Sequence, residues 1–257
     1  MPKPHGPRIG VALIGLIVLA FASESRAQSW LPRARYYFQW AALESSDPRF
    51  TADGMMGVDV DLVDYGAGRL AFAADYEAVL GHEVRPFEIN HDNFAMEAFA
   101  TARVRSSEIA VAFHHVSRHL SDRANPNIIA WNVLDFRAMR HFNVGESHID
   151  AELAAGHVLQ TTFVDYTWTS DLYLTLRRRL ANRVGFFASG RGRLIGVDES
   201  KQGRDRQCGA RLETGIRVKG GATALELFAG YERRIDGFPT ERTRVRMFAF
   251  GFRFTSP

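Results

Sequence analysis

Three polar residues in the middle of the chain have the side-chain types and the spacing that nucleophilic catalysis requires. His115 and Ser117 are separated by one residue, and Asn132 follows further along the chain. A serine hydroxyl becomes a nucleophile when a histidine accepts its proton, and a third polar group can hold the histidine ring in place. Ser117 is therefore the candidate nucleophile, His115 the candidate general base and Asn132 the candidate group that orients His115.

The segment that contains His115 and Ser117 alternates between apolar and polar residues, as a β-strand does. Side chains two residues apart on a strand share a face. His115 and Ser117 therefore continue the face that Ile109, Val111 and Phe113 begin. Two polar side chains thus lie at the end of an apolar row.

Asn132 has a similar position on the next segment, where Leu134 and Phe136 continue its face. If the intervening hairpin closes symmetrically about residues 123–124, His115 faces Asn132. The Cβ atoms of such facing pairs are about 4.5–5.5 Å apart. The three candidate side chains are then within reach of one another on one surface.

Period-2 alternation continues through the whole chain, and no second domain or central helix is apparent. We predict twelve strands, with the usual error of a few residues at each boundary, at 33–43, 54–65, 68–80, 94–106, 107–119, 129–142, 146–158, 169–180, 182–196, 206–218, 222–234 and 243–254. Short and long connections alternate between them. This pattern predicts an all-β, antiparallel, up-and-down transmembrane barrel of about 12 strands, with apolar side chains towards lipid and charged ones in the lumen. A soluble periplasmic sandwich is the alternative fold.

The first 27 residues have the features of a secretory signal peptide. Lys3 and Arg8 precede an apolar run at 9–22, and small residues, Ser25 and Ala27, come just before the expected cleavage site, which follows Ala27. We therefore predict a signal peptide at 1–27 and a barrel at 28–257; an uncleaved anchor is the alternative, but the run is shorter than the ~20 residues that span a bilayer. Cleavage removes three basic residues and one acidic residue, so the net charge of +3 falls to +1.

Composition excludes several classes of protein. A mean hydropathy of −0.17 excludes a bundle of membrane helices, and 12% aromatic residues is too much apolar material for a disordered chain. The single cysteine, Cys208, cannot form an intramolecular disulfide, and no Cys/His cluster has zinc spacing. An exported chain without a basic block is not expected to bind nucleic acid.

The last predicted strand carries four phenylalanines on one face: Phe248, Phe250, Phe252 and Phe254. This resembles the terminal aromatic signal that the barrel assembly machinery recognises in bacterial outer-membrane proteins, although residues 255–257 follow it here. The resemblance implies the outer membrane of a Gram-negative bacterium. With both termini in the periplasm, the strand that contains Ser117 ends near the outer leaflet.

The pair His115 and Ser117, followed by Trp131-Asn132, resembles outer membrane phospholipase A. The resemblance implies a twelve-stranded barrel with Ser117, His115 and Asn132 as a catalytic site on the lipid-facing wall, and it implies calcium as cofactor and a homodimer. Arg118-His119 replace the Asn-Gly of that family, and the loop is longer, so no calcium ligand is assigned and the metal site stays unknown. Lipid A deacylases of the outer membrane have a similar His-x-Ser pair.

A second resemblance leaves activity open. The segment from His115 to Asp122 is similar to a stretch of an uncharacterised family of outer-membrane barrels, which implies only an envelope location. The alternative function is thus a non-enzymatic envelope barrel or a narrow small-solute pore, in which the histidines are interfacial.

The large number of arginines allows two interpretations of their role. Arg244 and Arg246, at the outer end of the last strand, suit the phosphates of lipopolysaccharide. The interpretation that we favour is a network of ion pairs in the lumen, in which six arginines face six acidic residues. The arginines are Arg177, Arg179, Arg183, Arg191, Arg211 and Arg217, and the acidic residues are Asp59, Asp61, Asp75, Glu152, Glu213 and Glu226.

Overall fold

A computed structural model describes residues 29–120 and 128–256 of the chain. The predicted signal peptide at 1–27 and the loop residues 121–127 lie outside the described residues. Within them the chain forms twelve strands: β1 Ser29–Ser45, β2 Ala52–Asp64, β3 Arg69–Gly81, β4 Glu88–Val104, β5 Ser107–Leu120, β6 Ile129–Val144, β7 Ser147–Thr162, β8 Tyr166–Arg179, β9 Val184–Val197, β10 Gln207–Lys219, β11 Ala224–Arg234 and β12 Val245–Thr255. One helical turn, Glu199–Gln202, lies between β9 and β10.

The strands close into one antiparallel barrel in chain order, because β12 pairs with β1. This pairing runs from Tyr37 opposite Thr255 to Ser45 opposite Met247. Over this stretch the described residues of β1 and β12 leave no open edge in the wall, as lipid requires. The predicted up-and-down barrel of twelve strands is confirmed.

Strand boundaries differ most from the prediction at β4, which begins at Glu88 rather than near residue 94. Residues 88–93 are almost all polar, so alternation could not reveal a strand there. The register of β3 and β4 shifts beside Asn90, whose side chain donates a hydrogen bond to the backbone oxygen of Arg49 at 2.7 Å. A bulge and a loop contact therefore support this part of the strand, and its hydrophobic pattern does not.

The outer wall is apolar. Large exposed hydrophobic side chains lie on most strands, among them Phe38, Met56, Val58, Phe94, Met96, Ile109, Phe113, Phe136, Leu153, Leu172, Leu174, Leu212, Leu227, Phe248, Phe250 and Phe254. An apolar surface of this extent is unfavourable in water and favourable in lipid. None of the helical structure in the described ranges is long and apolar enough to cross a membrane.

Ion pairs cross the lumen. Several arginines each contact two or three carboxylates: Arg69 with Asp61 and Glu108, Arg137 with Glu97, Asp135 and Glu152, Arg211 with Glu213 and Glu232, Arg234 with Glu77 and Glu232, and Arg253 with Glu213 and Glu226. Of the predicted pairs, Arg211 contacts Glu213, and Arg217 contacts Glu226.

The partners of the other arginines in the predicted network differ from the prediction. Arg177 contacts Asp150, and Arg191 contacts Asp171. Arg179 and Arg183 lie exposed, one at the end of β8 and the other in the following turn, where the lumen no longer encloses them.

The two ends of the barrel differ. Short connections join the strands at the end where β1 begins and β12 ends, which we call the short-turn end. At the opposite, long-loop end, Arg204 joins Asp165 to Asp236 with contacts of 2.6 and 2.7 Å. The buried Arg118 donates hydrogen bonds to the backbone oxygens of Asp236 and Gly237 at 2.6 and 2.8 Å. The contacts of Arg118 connect β5, at the long-loop end, to the loop between β11 and β12.

Candidate functional site on the outer wall

β5 and β6 bring the candidate residues together near the long-loop end. His115 is paired with Asn132, and Ser117 with Ala130, which is the register predicted from the hairpin. Ile109 and Phe113, on the same face, are exposed to the outside. His115 and Ser117 therefore lie on the outer wall, while Arg118 points inward.

The His115 ring is held by Asn132. The distance from His115 Nδ1 to Asn132 Oδ1 is 2.7 Å, and Asn132 Nδ2 donates a hydrogen bond to Gln160 Oε1 at 3.2 Å. Because the amide nitrogen of Asn132 is directed to Gln160, its oxygen is free to accept from His115. An amide oxygen only accepts, so Nδ1 of His115 carries the hydrogen and Nε2 carries the lone pair. This is the tautomer that a general base requires.

A β-bulge on β7 provides Gln160. The register of β6 and β7 shifts after Asn132, which pairs with Gln160, whereas the next residue, Val133, pairs with Val158. Leu159 is the extra residue, and both Leu159 and Gln160 face outward. Bulges often redirect a side chain beside a functional site. The sequence analysis missed Gln160 because a bulge leaves no signal in an alternating pattern.

Ser117 lies on the same face as His115, but its hydroxyl contacts another histidine. His119 Nε2 is 3.3 Å from Ser117 Oγ, and the His119 ring packs edge-on against Phe94 with centroids 5.4 Å apart. Within residues 29–120 and 128–256, no hydrogen bond joins Ser117 to His115. The structure thus brings His115 and Asn132 into contact and leaves Ser117 between two histidines on one strand face.

His119 and Asp92 are polar neighbours that the sequence analysis gave no catalytic role. Asp92 is paired with His119 across β4 and β5, and it accepts a hydrogen bond from the Tyr76 hydroxyl at 2.7 Å. The shared parity of His115, Ser117 and His119 was visible in the sequence. The approach of Asp92 depends on the register of β4 and was not.

A buried apolar cluster supports the wall behind the site. It contains Ile129, Trp131, Val133, Val158, Val164, Tyr166 and Ile195. Trp131 and Tyr166 pack edge-to-face with ring centroids 5.2 Å apart. Because Trp131 and Val133 flank Asn132 and point inward, they fix the strand from which Asn132 points outward. A site on a packed strand is held more precisely than a site on a loop.

The residues at this site do not fit the calcium that the resemblance implies. Calcium takes about six to eight oxygen ligands, usually including several carboxylates. In the described part of the chain, no three acidic or histidine side chains converge here. The amide oxygens of Asn132 and Gln160 are also already hydrogen-bonded. No chemical step is therefore assigned to calcium.

Comparison with known proteins shows the fold. No protein-family model matches the chain, and no curated protein sequence matches it. A solved outer-membrane channel from Pseudomonas putida F1 matches with a TM-score of 0.56 at 10% identity, covering 91% of this chain and 99% of that one.

Outer membrane phospholipase A from Escherichia coli matches with a TM-score of 0.52 at 12% identity, covering 87% of this chain and 97% of that one. The calcium-bound dimer of the Salmonella typhi outer membrane phospholipase also matches at 0.52 and 12%, covering 92% and 96%. At such identities the likeness concerns the fold alone. The chain has the fold of the bacterial outer-membrane β-barrels.

Proposed function

We propose that the protein is a serine-dependent hydrolase of lipid acyl esters in the outer leaflet of a Gram-negative outer membrane. The observation that carries the proposal is the hydrogen bond of 2.7 Å between His115 and Asn132 on the outer wall. A polar pair at the end of an apolar row is unfavourable unless it has a role there. Ser117, two residues from His115 on the same face, completes a set of nucleophile, base and orienting group.

The surroundings of the site suit a lipid. Met96 is paired with His115, and Phe94 with Ser117, and both apolar side chains are exposed on the outer wall. An acyl chain lying against the wall contacts these side chains, which places its ester group at the level of Ser117. The substrate reaches the site from the bilayer without entering the lumen.

The reaction follows from the tautomer of His115. Ser117 Oγ forms a bond to the ester carbonyl carbon while its proton passes to His115 Nε2, and Asn132 holds the ring through Nδ1. The alcohol leaves as the bond between carbonyl carbon and alkoxy oxygen breaks, and it takes the proton from His115. Water then attacks the acyl-serine with His115 again accepting its proton. The fatty acid leaves as the bond between its carbonyl carbon and Ser117 Oγ breaks, and Oγ takes the proton back from His115.

Attack requires the Ser117 hydroxyl to turn from His119 to His115. Residues two apart on a strand are separated by about 6.6–6.8 Å along the chain, a gap that a histidine ring and a hydroxyl together bridge. Among the described residues, the rotation breaks only the contact of 3.3 Å with His119. His119 is thus a resting partner of Ser117 in this proposal.

Replacement of Asn132 tests the orienting role. We expect Asn132→Ala to lower kcat/KM for a long-chain ester by about 10²-fold or more, but by less than loss of the nucleophile, as in other triads. The Ala variant leaves Nδ1 without an acceptor, so the ring no longer presents Nε2 to Ser117. The rate is measured in detergent micelles, with Asn182→Ala, an exposed change in the turn at the opposite end, as the control. Equal rates for the Asn132 variant and the parent would remove Asn132 from the mechanism.

The second candidate is a narrow pore for small solutes, or a non-enzymatic envelope barrel. A cavity of about 480 Å³ in the lumen favours the pore, and charged and aromatic side chains line it, including Tyr37, Asp75, Glu97, Arg137, Tyr173 and Arg191. The ion pairs that cross the lumen oppose a continuous path. We therefore expect no steady single-channel conductance in planar bilayers. Stable, ion-selective steps would instead favour the pore.

The remaining partners stay predictions. Arg244 and Arg246 are both exposed at the long-loop end, where contact with lipopolysaccharide is expected, and Arg244 also donates a hydrogen bond to Gln207 at 2.9 Å. Recognition by the barrel assembly machinery and formation of a homodimer are likewise proposed from the resemblances.

A further inference from the structure

A second cluster of polar side chains lies at the short-turn end, far along β6 and β7 from Ser117. It consists of His141, His148 and Asp150. His141 is paired with Asp150, and His148 with Asn143, across the hairpin that joins β6 to β7. Gly145 permits this tight turn, since its φ of 59° lies in the region that favours glycine. The hairpin thus fixes the three side chains on one face, which is the lumen face by parity with Arg137 and Glu152.

Two imidazole nitrogens converge on one carboxylate oxygen. His141 Nδ1 and His148 Nε2 lie 2.6 and 2.9 Å from Asp150 Oδ1. One ligand atom from each of the three residues lies within 4.8 Å of the other two. The histidine rings are nearly parallel, with an interplanar angle of 4° and centroids 6.3 Å apart. Only small side-chain movements separate this arrangement from a three-ligand metal site.

The contact of His148 with Asn143 directs Nε2 of the ring towards Asp150. His148 Nδ1 is 2.9 Å from Asn143 Oδ1, an atom that only accepts, so Nδ1 carries the hydrogen. In the neutral ring, Nε2 then directs a lone pair at the carboxylate oxygen of Asp150. Two lone pairs that face each other at 2.9 Å repel unless a proton bridges them, and a metal ion that binds both atoms, with small side-chain movements, would replace that proton.

The surrounding contacts match the support that metal ligands usually have. A ligating histidine commonly donates its other ring N–H to an oxygen, which fixes the tautomer, and Asn143 provides that oxygen for His148. Arg177 Nη1 contacts Asp150 Oδ2 at 2.6 Å and leaves Oδ1 to face the histidines. The positive charge of Arg177 weakens the binding of a cation, but it also orients the carboxylate.

We propose that His141, His148 and Asp150 bind a divalent transition-metal ion, with Zn²⁺ as the reference ion, at the short-turn mouth of the lumen. Two imidazoles and one carboxylate suit zinc, copper or nickel better than calcium or magnesium, which prefer oxygen ligands alone. Both histidines are exposed, so the ion can enter from solvent. The proposal does not depend on hydrolysis at Ser117.

Calorimetric titration of the folded, tag-free barrel in detergent with Zn²⁺ alone tests the proposal. We expect one ion per chain. Loss of a residue that supports a metal ligand typically lowers the affinity about 10–100-fold, and we expect Asn143→Ala to lower the affinity for Zn²⁺ by this amount. His148→Ala and His141→Ala, which remove ligands, should each lower it by more. His157→Ala, on the outer wall of β7, is the matched control and should bind as the parent does.

A spectroscopic measurement accompanies the titration. Co²⁺ in place of Zn²⁺ should give visible absorption bands of a low-coordinate site in the parent and in His157→Ala, and these bands should be absent from His148→Ala. All variants must keep the circular dichroism of the barrel. If the parent binds no Zn²⁺, or if loss of His141 or His148 leaves its affinity unchanged, the proposal is wrong.

Discussion

Replacing Ser117 by alanine is expected to lower the rate of lipid ester hydrolysis by at least about 10³-fold, because loss of the nucleophile can cost a serine hydrolase about 10⁶-fold in kcat. The change removes the protein oxygen that would form the covalent bond to the carbonyl carbon. It leaves the hydrogen bond between His115 and Asn132 intact, so the wall around the site should keep its structure. Release of fatty acid from phospholipid in mixed micelles measures the effect.

Ser170→Ala is the matched control for Ser117→Ala. Ser170 lies on β8 with its side chain on the outer wall, paired with Leu194 and remote from the candidate site. The same atoms are removed on the same kind of surface, and we expect no change in rate. If both variants hydrolyse lipid at the parental rate, any activity of the preparation does not come from Ser117.

Replacing each of the two histidines beside Ser117 shows which of them acts as the general base. His115→Ala should lose about as much activity as Ser117→Ala, because base and nucleophile act as a unit. His119→Ala should lose far less, although His119 is the ring that contacts the hydroxyl at 3.3 Å in the structure. The opposite order would make His119 the base and Asn132 a structural residue.

Replacing Arg137 by methionine is expected to destabilise the barrel by about 3–5 kcal/mol, the cost of leaving buried charges without their partner. Arg137 donates two hydrogen bonds to Glu97, at 2.6 and 2.5 Å, and two to Asp135, at 2.7 and 3.1 Å. Its side chain and that of Asp135 are only 12% and 3% exposed. Methionine keeps most of the volume and removes the charge, so the free energy of unfolding in urea reports the loss of the ion pairs.

Arg140→Met provides the comparison for Arg137→Met. Arg140 lies on the same strand but points outward and is exposed, so its replacement should change the free energy of unfolding by little. Adding Glu97→Gln and Asp135→Asn to Arg137→Met should recover much of the stability, because the two acids that Arg137 hydrogen-bonds are then neutral. If Arg137→Met lowers the free energy of unfolding by no more than Arg140→Met does, water solvates the ion pairs of the lumen.

The sequence was sufficient for the strand count, the closed barrel and the pairing of His115 with Asn132. Each of these follows from alternation and hairpin symmetry, which are local properties. The start of β4 was missed because a polar segment held by Asn90 carries no hydrophobic period. Gln160 was missed because it reaches Asn132 only through the bulge at Leu159.

The individual ion pairs also could not be predicted from the sequence. The parity of Arg177 and Arg191 placed both in the lumen, but the register between neighbouring strands decided that their partners are Asp150 and Asp171. The contact of Ser117 with His119 depends on side-chain rotation, which a strand pattern does not determine. Residue spacing thus predicted the face of the sheet on which each side chain lies, whereas individual contacts required the register between paired strands.

Labelling with a fluorophosphonate that carries a lipid-like chain tests the central claim most directly, because the probe bonds only to an activated serine. The protein is treated in outer-membrane vesicles, digested and analysed by mass spectrometry. We predict a single adduct on Ser117, absent from Ser117→Ala and strongly reduced in His115→Ala, with Ser170→Ala labelled as the parent is. No adduct in the parent, or an adduct that persists unchanged without His115, would contradict a Ser117–His115–Asn132 hydrolase on the outer wall.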